Sequence, residues 1–396
     1  MKRISSFLLA AAAIVLPACS SGPADTTDGG TGGDAVTDGT TTDGGSAMPD
    51  EWDTLLTKRD YDYNAALRTA ALRLTGDLPT MTEINSIASA PDLAAKKVAY
   101  EALVTAYLAR PAFATQMVAF WRDTFKMGET AMLDTAPVFA ADLAVNNKPY
   151  TDLFTRASNN CPTFDATTGA FTAAECSNGG TQVGVLTNPG VMVQYFGNFA
   201  FRRVKWVNET FDCLKFPVEI GNAPQDIGAA SPYTGAWPLE SIAGTSNGGR
   251  VNFQDTSSVL CVNCHQTINH IAPMFAHYDG TGKFTPGLSV PTPMGDDKLA
   301  LDTDYLPAGE TFAWRFGKPV SDLTALGATM AADPAIATCG VARVWNWALG
   351  KTDIVDTLMD VPAATIAAQT SAFSANNYKL RDLIFSVFTA DDFVKF

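Results

Sequence analysis

Cys261-Val262-Asn263-Cys264-His265 sets two thiols three residues apart with an imidazole directly after the second, and no other short stretch constrains the chain as much. On a helical turn, residues at i, i+3 and i+4 share one side. Such a unit suits covalent capture of a c-type haem: the sulfurs form thioethers with the vinyl groups, and the imidazole turns under the ring to bind iron as proximal ligand. The chain has seven cysteines and three histidines, and His270 and His277 both follow within twelve residues of His265. All imidazole chemistry therefore belongs to this segment. Two other uses of the same groups stay open. Zinc could take Cys261, Cys264 and one or two histidines, although adjacent Cys264 and His265 are awkward for a tetrahedron and no second ligand pair follows. A CxxC redox pair is the other, without the strand-helix context of a thioredoxin-like site.

A ligand on the opposite face of the iron has to come from elsewhere. His270 lies five residues from His265 on the same local segment, so it is expected at the surface or behind the ligand set. His277 could return if the chain turns at Pro273, and Met274, Met294 and Met330 are thioether candidates that would raise the reduction potential. Met294, in a loop after Pro291 and Pro293, has the reach and is the favoured distal ligand. An open five-coordinate iron is the other case. Gly244-Thr245-Ser246-Asn247-Gly248 matches a nucleophile elbow, but no strong strand precedes it and every histidine is at the CxxCH segment, so it reads as a Gly-rich loop.

The N-terminus, MKRISSFLLAAAAIVLPAC, carries Lys2 and Arg3, an apolar run from Phe7 to Leu16, and the small Ala18 before Cys19. Residues 1–18 read as an export signal, too short and too Ala-rich for a stable membrane span. Leu16-Pro17-Ala18-Cys19 resembles a bacterial lipoprotein box, with Pro17 where a small residue is usual. That resemblance implies lipid modification of Cys19, an anchor gaining about 0.8 kcal/mol per buried methylene. Residues 19–50 then form a flexible linker: from Ser20 onward it is almost entirely Gly, Thr, Ser and Asp, with six aspartates and no lysine or arginine. It cannot bury enough apolar surface to fold. The whole chain has a net charge of -14. Such a surface makes no electrostatic case for nucleic acid and repels anionic lipid, so the anchor accounts for membrane proximity.

The remainder is long enough for roughly two or three domains with their own cores. Ala66, Leu67, Ala70, Ala71 and Leu74 recur at helical spacing and Gly76 ends the run. Thr80 and Glu83 form a capping-box pattern ahead of Ile84 and Ile87. Asp92 opens a further run that Pro111 ends, and Phe113, Met117, Phe120, Trp121 and Phe125 make an amphipathic face closed by Gly128. Those aromatics read as core. Residues 51–160 are thus expected as an N-terminal helical domain, 161–182 as a loop, 183–300 as the haem-binding segment, and 301–396 as a C-terminal helical domain. In the last of these, Ile336, Gly340, Val344 and Trp347 share one helical face ending at Gly350, and Leu380, Leu383, Ile384, Val387 and Phe388 share another. The fold class is mainly α. Export brings oxidising surroundings, so Cys161 and Cys176 are expected to pair across a 15-residue interval, worth about 3 kcal/mol by chain entropy.

Four stretches taken together resemble a known family, the exported cytochrome-c-like proteins abundant in planctomycetes and myxobacteria. They are LRTAALRLTGDLPTMTEI with AYEALVTAYLARPAFATQMVAFW, then GVLTNPGVMVQYFGNFAFRRVKWVNETFDC, then CVNCHQTINHIAPMFAHYDGTGKF, and last DPAIATCGVARVWNWALGK through NNYKLRDLIFSVFTADDF. The resemblance implies one haem c on Cys261 and Cys264 with His265 as ligand, in a multi-module helical envelope protein. The family's cysteines matching Cys213 and Cys339 suggest a long-range disulfide between the central segment and the C-terminal helices. Relatives commonly read Asp-Pro-x-Gly where this chain has Asn269, His270, Ile271 and Ala272, and often carry a histidine where Asp255 stands here. The expected function is single-electron transfer between redox partner proteins of the bacterial envelope, by an exported protein anchored through lipid, in the outer membrane. An electron carrier is expected in preference to a catalyst. The alternatives are a haem-c enzyme of peroxidase-like type with an open iron, for which Arg202 and Arg203 are available, and a structural envelope lipoprotein.

Overall fold

Asp62 accepts hydrogen bonds from the backbone amides of Asn64 and Ala65, pairing two of the donors that every helix start leaves over. Helix α1 (Tyr63–Thr75) follows with the expected apolar face buried, and Gly76 closes it at φ 78°. The computed structural model describes residues 55, 57–216, 259–287, 305–306 and 309–396; at 198, 259–264, 266 and 316 it describes the backbone alone. Cys19, the export signal, the linker, Gly244–Gly248, Asp255 and Met294 lie outside the described residues. The capping box forms at α2 (Met81–Ala88), with Thr80 and Glu83 each bonding the other's backbone amide. Asp92 caps α3 (Leu93–Leu108), and Pro111 occupies the first turn of α4 (Pro111–Phe125). The end of α4 differs from expectation. Lys126 takes the left-handed cap at φ 50°, two residues ahead of Gly128, and its Nζ donates to the Asp353 carbonyl at 2.7 Å.

Helix α5 (Thr135–Val145) has no sequence signature because Ala136 to Ala141 are buried on every side, which leaves no polar face to mark its period. The short α6 (Asp152–Thr155) leads into residues expected as loop. There β1 (Thr163–Asp165) pairs antiparallel with β2 (Ala170–Thr172), and Phe164 stacks on Phe171 at 4.9 Å. Three-residue strands are too short to show alternation. The Cys161–Cys176 disulfide closes the base of this hairpin. Next come α7 (Pro189–Gln194), α8 (Phe201–Val207) and a π-turn over Asn208–Asp212, then α9 (Val259–Phe275). A minimal hairpin of β3 (Ala313–Trp314) and β4 (Lys318–Pro319) precedes the C-terminal helices. These are α10 (Leu323–Ala331), α11 (Pro334–Ala348), α12 (Val355–Met359), α13 (Ala363–Ala375), α14 (Leu380–Phe388) and α15 (Asp391–Val394). The molecule is mainly α, as its periodicities indicate. Among the described residues no single helix is long and apolar enough to cross a membrane.

The described residues from 57 to 396 belong to one compact unit. Trp347 on α11 sets its ring against Phe120 of α4 and Phe388 of α14, at 5.2 and 5.6 Å. The Tyr100 hydroxyl on α3 donates to the Phe388 carbonyl at 2.6 Å. The first and last segments also pair: Asp60 and Phe396 exchange two backbone hydrogen bonds, and Asp62 donates to Val394. Long-range pairs of this kind leave no local mark in a sequence, which is why the helices read as two domains.

Two tethers hold the centre to the C-terminal helices. The Cys213–Cys339 disulfide joins the residue after the π-turn to α11. Beside it the buried Asp212 pairs with Arg315, which follows β3. Burial is the largest influence on Asp212 and pushes its carboxyl up to about 7, against the pull of Arg315 and with added push from Asp333. The folded protein therefore holds this proton more tightly than the unfolded chain between about pH 4 and pH 7, and stability falls as pH rises through that window. Urea midpoints are expected to drop from pH 5 to pH 8, with Asp212 contributing on the order of a few kcal/mol, and Asp212→Asn should flatten the slope. An unchanged slope in that variant would place the proton elsewhere.

Candidate functional site

Helix α9 carries the CVNCH motif in its first two turns, so Cys261, Cys264 and His265 occupy one side of it by position. The side chains of Cys261 and Cys264 lie outside the described residues. His265 is held from two directions. Its Nδ1 donates to Asn269 Oδ1 at 2.8 Å, one turn along the same helix. The edge of Phe201 meets the imidazole with ring centroids 5.0 Å apart at 87°. Burial lowers the tendency of His265 to protonate, and the Asn269 bond opposes this. With an acceptor fixed on Nδ1, the ring is the tautomer whose lone pair is on Nε2. That is the form an iron ligand needs, and a hydrogen-bonded second nitrogen is the usual means of orienting one. The described part of the motif fits a haem.

Phe201 reaches this position because the chain reverses immediately before α8. Phe199 and Ala200 both stand in the left-handed region, at φ 56° and 61°, although neither is glycine. Each costs on the order of 1–2 kcal/mol, and both residues are fully packed, which holds them there. Tyr305 closes the cluster edge-on, 6.1 Å from Phe201 and 6.3 Å from Phe199.

The other end of α9 is fixed by Arg203, which is completely buried. Its Nη1 donates to the carbonyls of Phe275 and Tyr278 at 2.6 and 2.8 Å, and Nη2 to those of Met192 and Asp279. The Phe275 carbonyl is one that the C-terminus of α9 leaves over, and Met192 contributes one from the last turn of α7, so a cation there opposes the negative ends of both helix dipoles. Burial brings the guanidinium down to about 10, with Asp279 acting against it. Arg202 donates to the Phe196 carbonyl and lines a separate cleft beside Lys205 and Trp206. Arg203 thus serves the opposite end of α9 from His265. An arginine that caps a distant helix carries no local signature in the sequence, which offered Arg203 only to the iron.

The remaining candidates separate along α9. His270 is buried rather than exposed, with Nε2 3.0 Å from Glu310 Oε2. The chain does not turn at Pro273, because the helix runs on to Phe275. Met274 therefore stands about 14 Å along the axis from His265, too far on the same helix to approach the opposite face of a ring bound there, and His277 follows in the turn two residues after the helix ends. Met330 is buried in α10. The disulfides Cys161–Cys176 and Cys213–Cys339 take four of the seven cysteines.

Residues 51–201 match the family model PSCyt2, described as a protein of unknown function (DUF1549). The match covers α1 to α7 and ends at Phe201, ahead of the CVNCH motif. It includes the first of the four stretches noted in the sequence and part of the second. No curated protein and no solved structure matches the chain.

Proposed function

We propose that this chain is a membrane-tethered monohaem c-type cytochrome that passes single electrons between proteins of the bacterial envelope. The haem would be attached at Cys261 and Cys264, with His265 as proximal ligand, and the anchor would be the lipid on Cys19. The observation that carries the reading is the hydrogen bond from His265 Nδ1 to Asn269, made on the helix that bears both motif cysteines. When bound, the haem supplies a one-electron iron couple whose potential follows its ligands and their hydrogen bonds. The chain does the rest. Asn269 fixes the imidazole tautomer, Phe201 limits its rotation and screens it from water, and Arg203 holds the far end of the helix.

Protein made with a haem-attachment system should retain a covalent haem stain after denaturation, with one haem per chain and a reduced α-band of c type. Stoichiometric zinc without haem would overturn the proposal. Asn269→Asp keeps the acceptor and adds a negative charge behind the ligand, which favours ferric iron. A tenfold shift in that preference is about 59 mV for one electron, so the midpoint should fall by about that amount in a potentiometric titration. An unchanged midpoint would mean that Asn269 does not act on the ligand.

A further inference from the structure

The residues after α9 line a cleft of about 420 Å³ that the haem reading leaves unused. His277 stands in it. Its Nδ1 is buried without a hydrogen-bond partner, and among the described residues neither ring nitrogen has one. Buried polar atoms are ordinarily paired, so an imidazole left in this state beside a cavity is a group with binding capacity to spare. The walls are aromatic and soft: Phe284 sits 5.9 Å from the imidazole at 33°, and Phe312 and Met274 complete the apolar surface. Asp322 supplies the second polar group. It caps α10 through the Ala325 amide at 2.9 Å and accepts from the Ser321 hydroxyl at 3.1 Å. The Ala325 bond, more than any other influence, holds its carboxyl below the usual range.

A space of this size, with aromatic walls and few polar groups, is typical of a small-molecule site. The polar groups select the ligand. An ionised Asp322 accepts hydrogen bonds and repels carboxylates, while the ring nitrogens of His277 face a hydroxyl, which can both donate and accept. We infer that this cleft binds a small hydroxylated aromatic molecule, a phenol or hydroquinone, its ring between Phe284 and Phe312 and its hydroxyls on His277 and Asp322. The inference goes beyond the electron-carrier reading and needs nothing from the CVNCH motif.

Titration calorimetry of the full chain with hydroquinone, under argon and with or without haem, tests it. Saturable one-to-one binding is expected, weakened at least tenfold in His277→Phe. That variant should fold normally, because His277 gives up no hydrogen bond. Asp322→Asn, which keeps a capping side chain, should weaken binding by a similar factor. Absence of saturable binding would overturn the inference, as would binding unchanged in both variants. Benzylamine or benzoate binding as tightly as hydroquinone would also overturn it, since charge rather than hydroxyl recognition would then govern the cleft. Binding is read without haem, so its failure is distinct from failure of haem attachment.

Discussion

Protein in which Cys261 and Cys264 are both alanine is expected to carry no covalent haem, because the proposed attachment uses those two thiols alone. Two thioethers are the covalent links of the proposed attachment, and among the described residues every other cysteine is already bonded. Cys161, Cys176, Cys213 and Cys339 are committed to disulfides. The double variant should show no haem stain after denaturation and no reduced α-band, while keeping most of its helical signal. Helix content should survive because α9 is held at its far end by Arg203 and along its length by α8. His265→Ala isolates the axial role. It should retain the stain, because the thioethers remain, but take up carbon monoxide readily. A double variant that still carried one covalent haem would refute the assignment.

The second large effect is thermodynamic. The Cys213–Cys339 disulfide closes a sequence separation of 126 residues, against 15 for Cys161–Cys176. Chain-entropy arithmetic gives about 5 kcal/mol for the longer loop and about 3 kcal/mol for the shorter. Since whole domains are stable by about 5–15 kcal/mol, loss of the long bridge in Cys213→Ala/Cys339→Ala removes a third or more of a typical total. Urea unfolding without reductant should place this variant well below Cys161→Ala/Cys176→Ala. Equal losses from the two pairs would show that loop length does not set their contributions. The long bridge also lies beside Asp212, so its removal loosens the buried ion pair with Arg315. The two effects should therefore not add independently.

What could be read from the sequence was what is locally encoded. Thr80 with Glu83, Asp92 and Gly76 act on amides and carbonyls within four residues, and each does so in the fold. Helix α5 escaped because it is apolar all round, and the β1–β2 hairpin because its strands are too short. The shared core of the first and last helices escaped for another reason: Tyr100 and Phe388 are 288 residues apart, and nothing near either names the other. The site divides in the same way. CVNCH is legible by spacing alone. The Asn269 contact is a one-turn pair that helical periodicity could have suggested, since Asn269 lies four residues after His265. Phe201 and Arg203 are set against α9 by the reversal at Phe199 and Ala200, whose left-handed backbone no glycine announces.

The paired ends carry a topological consequence. Asp60 and Phe396 face each other across two backbone hydrogen bonds, so the folded part is in effect a ring cut at a single point. A short Gly-Ser bridge from 396 to 60 would close it, and the ring could be reopened in the exposed turn between β1 and β2 with the core helices undisturbed.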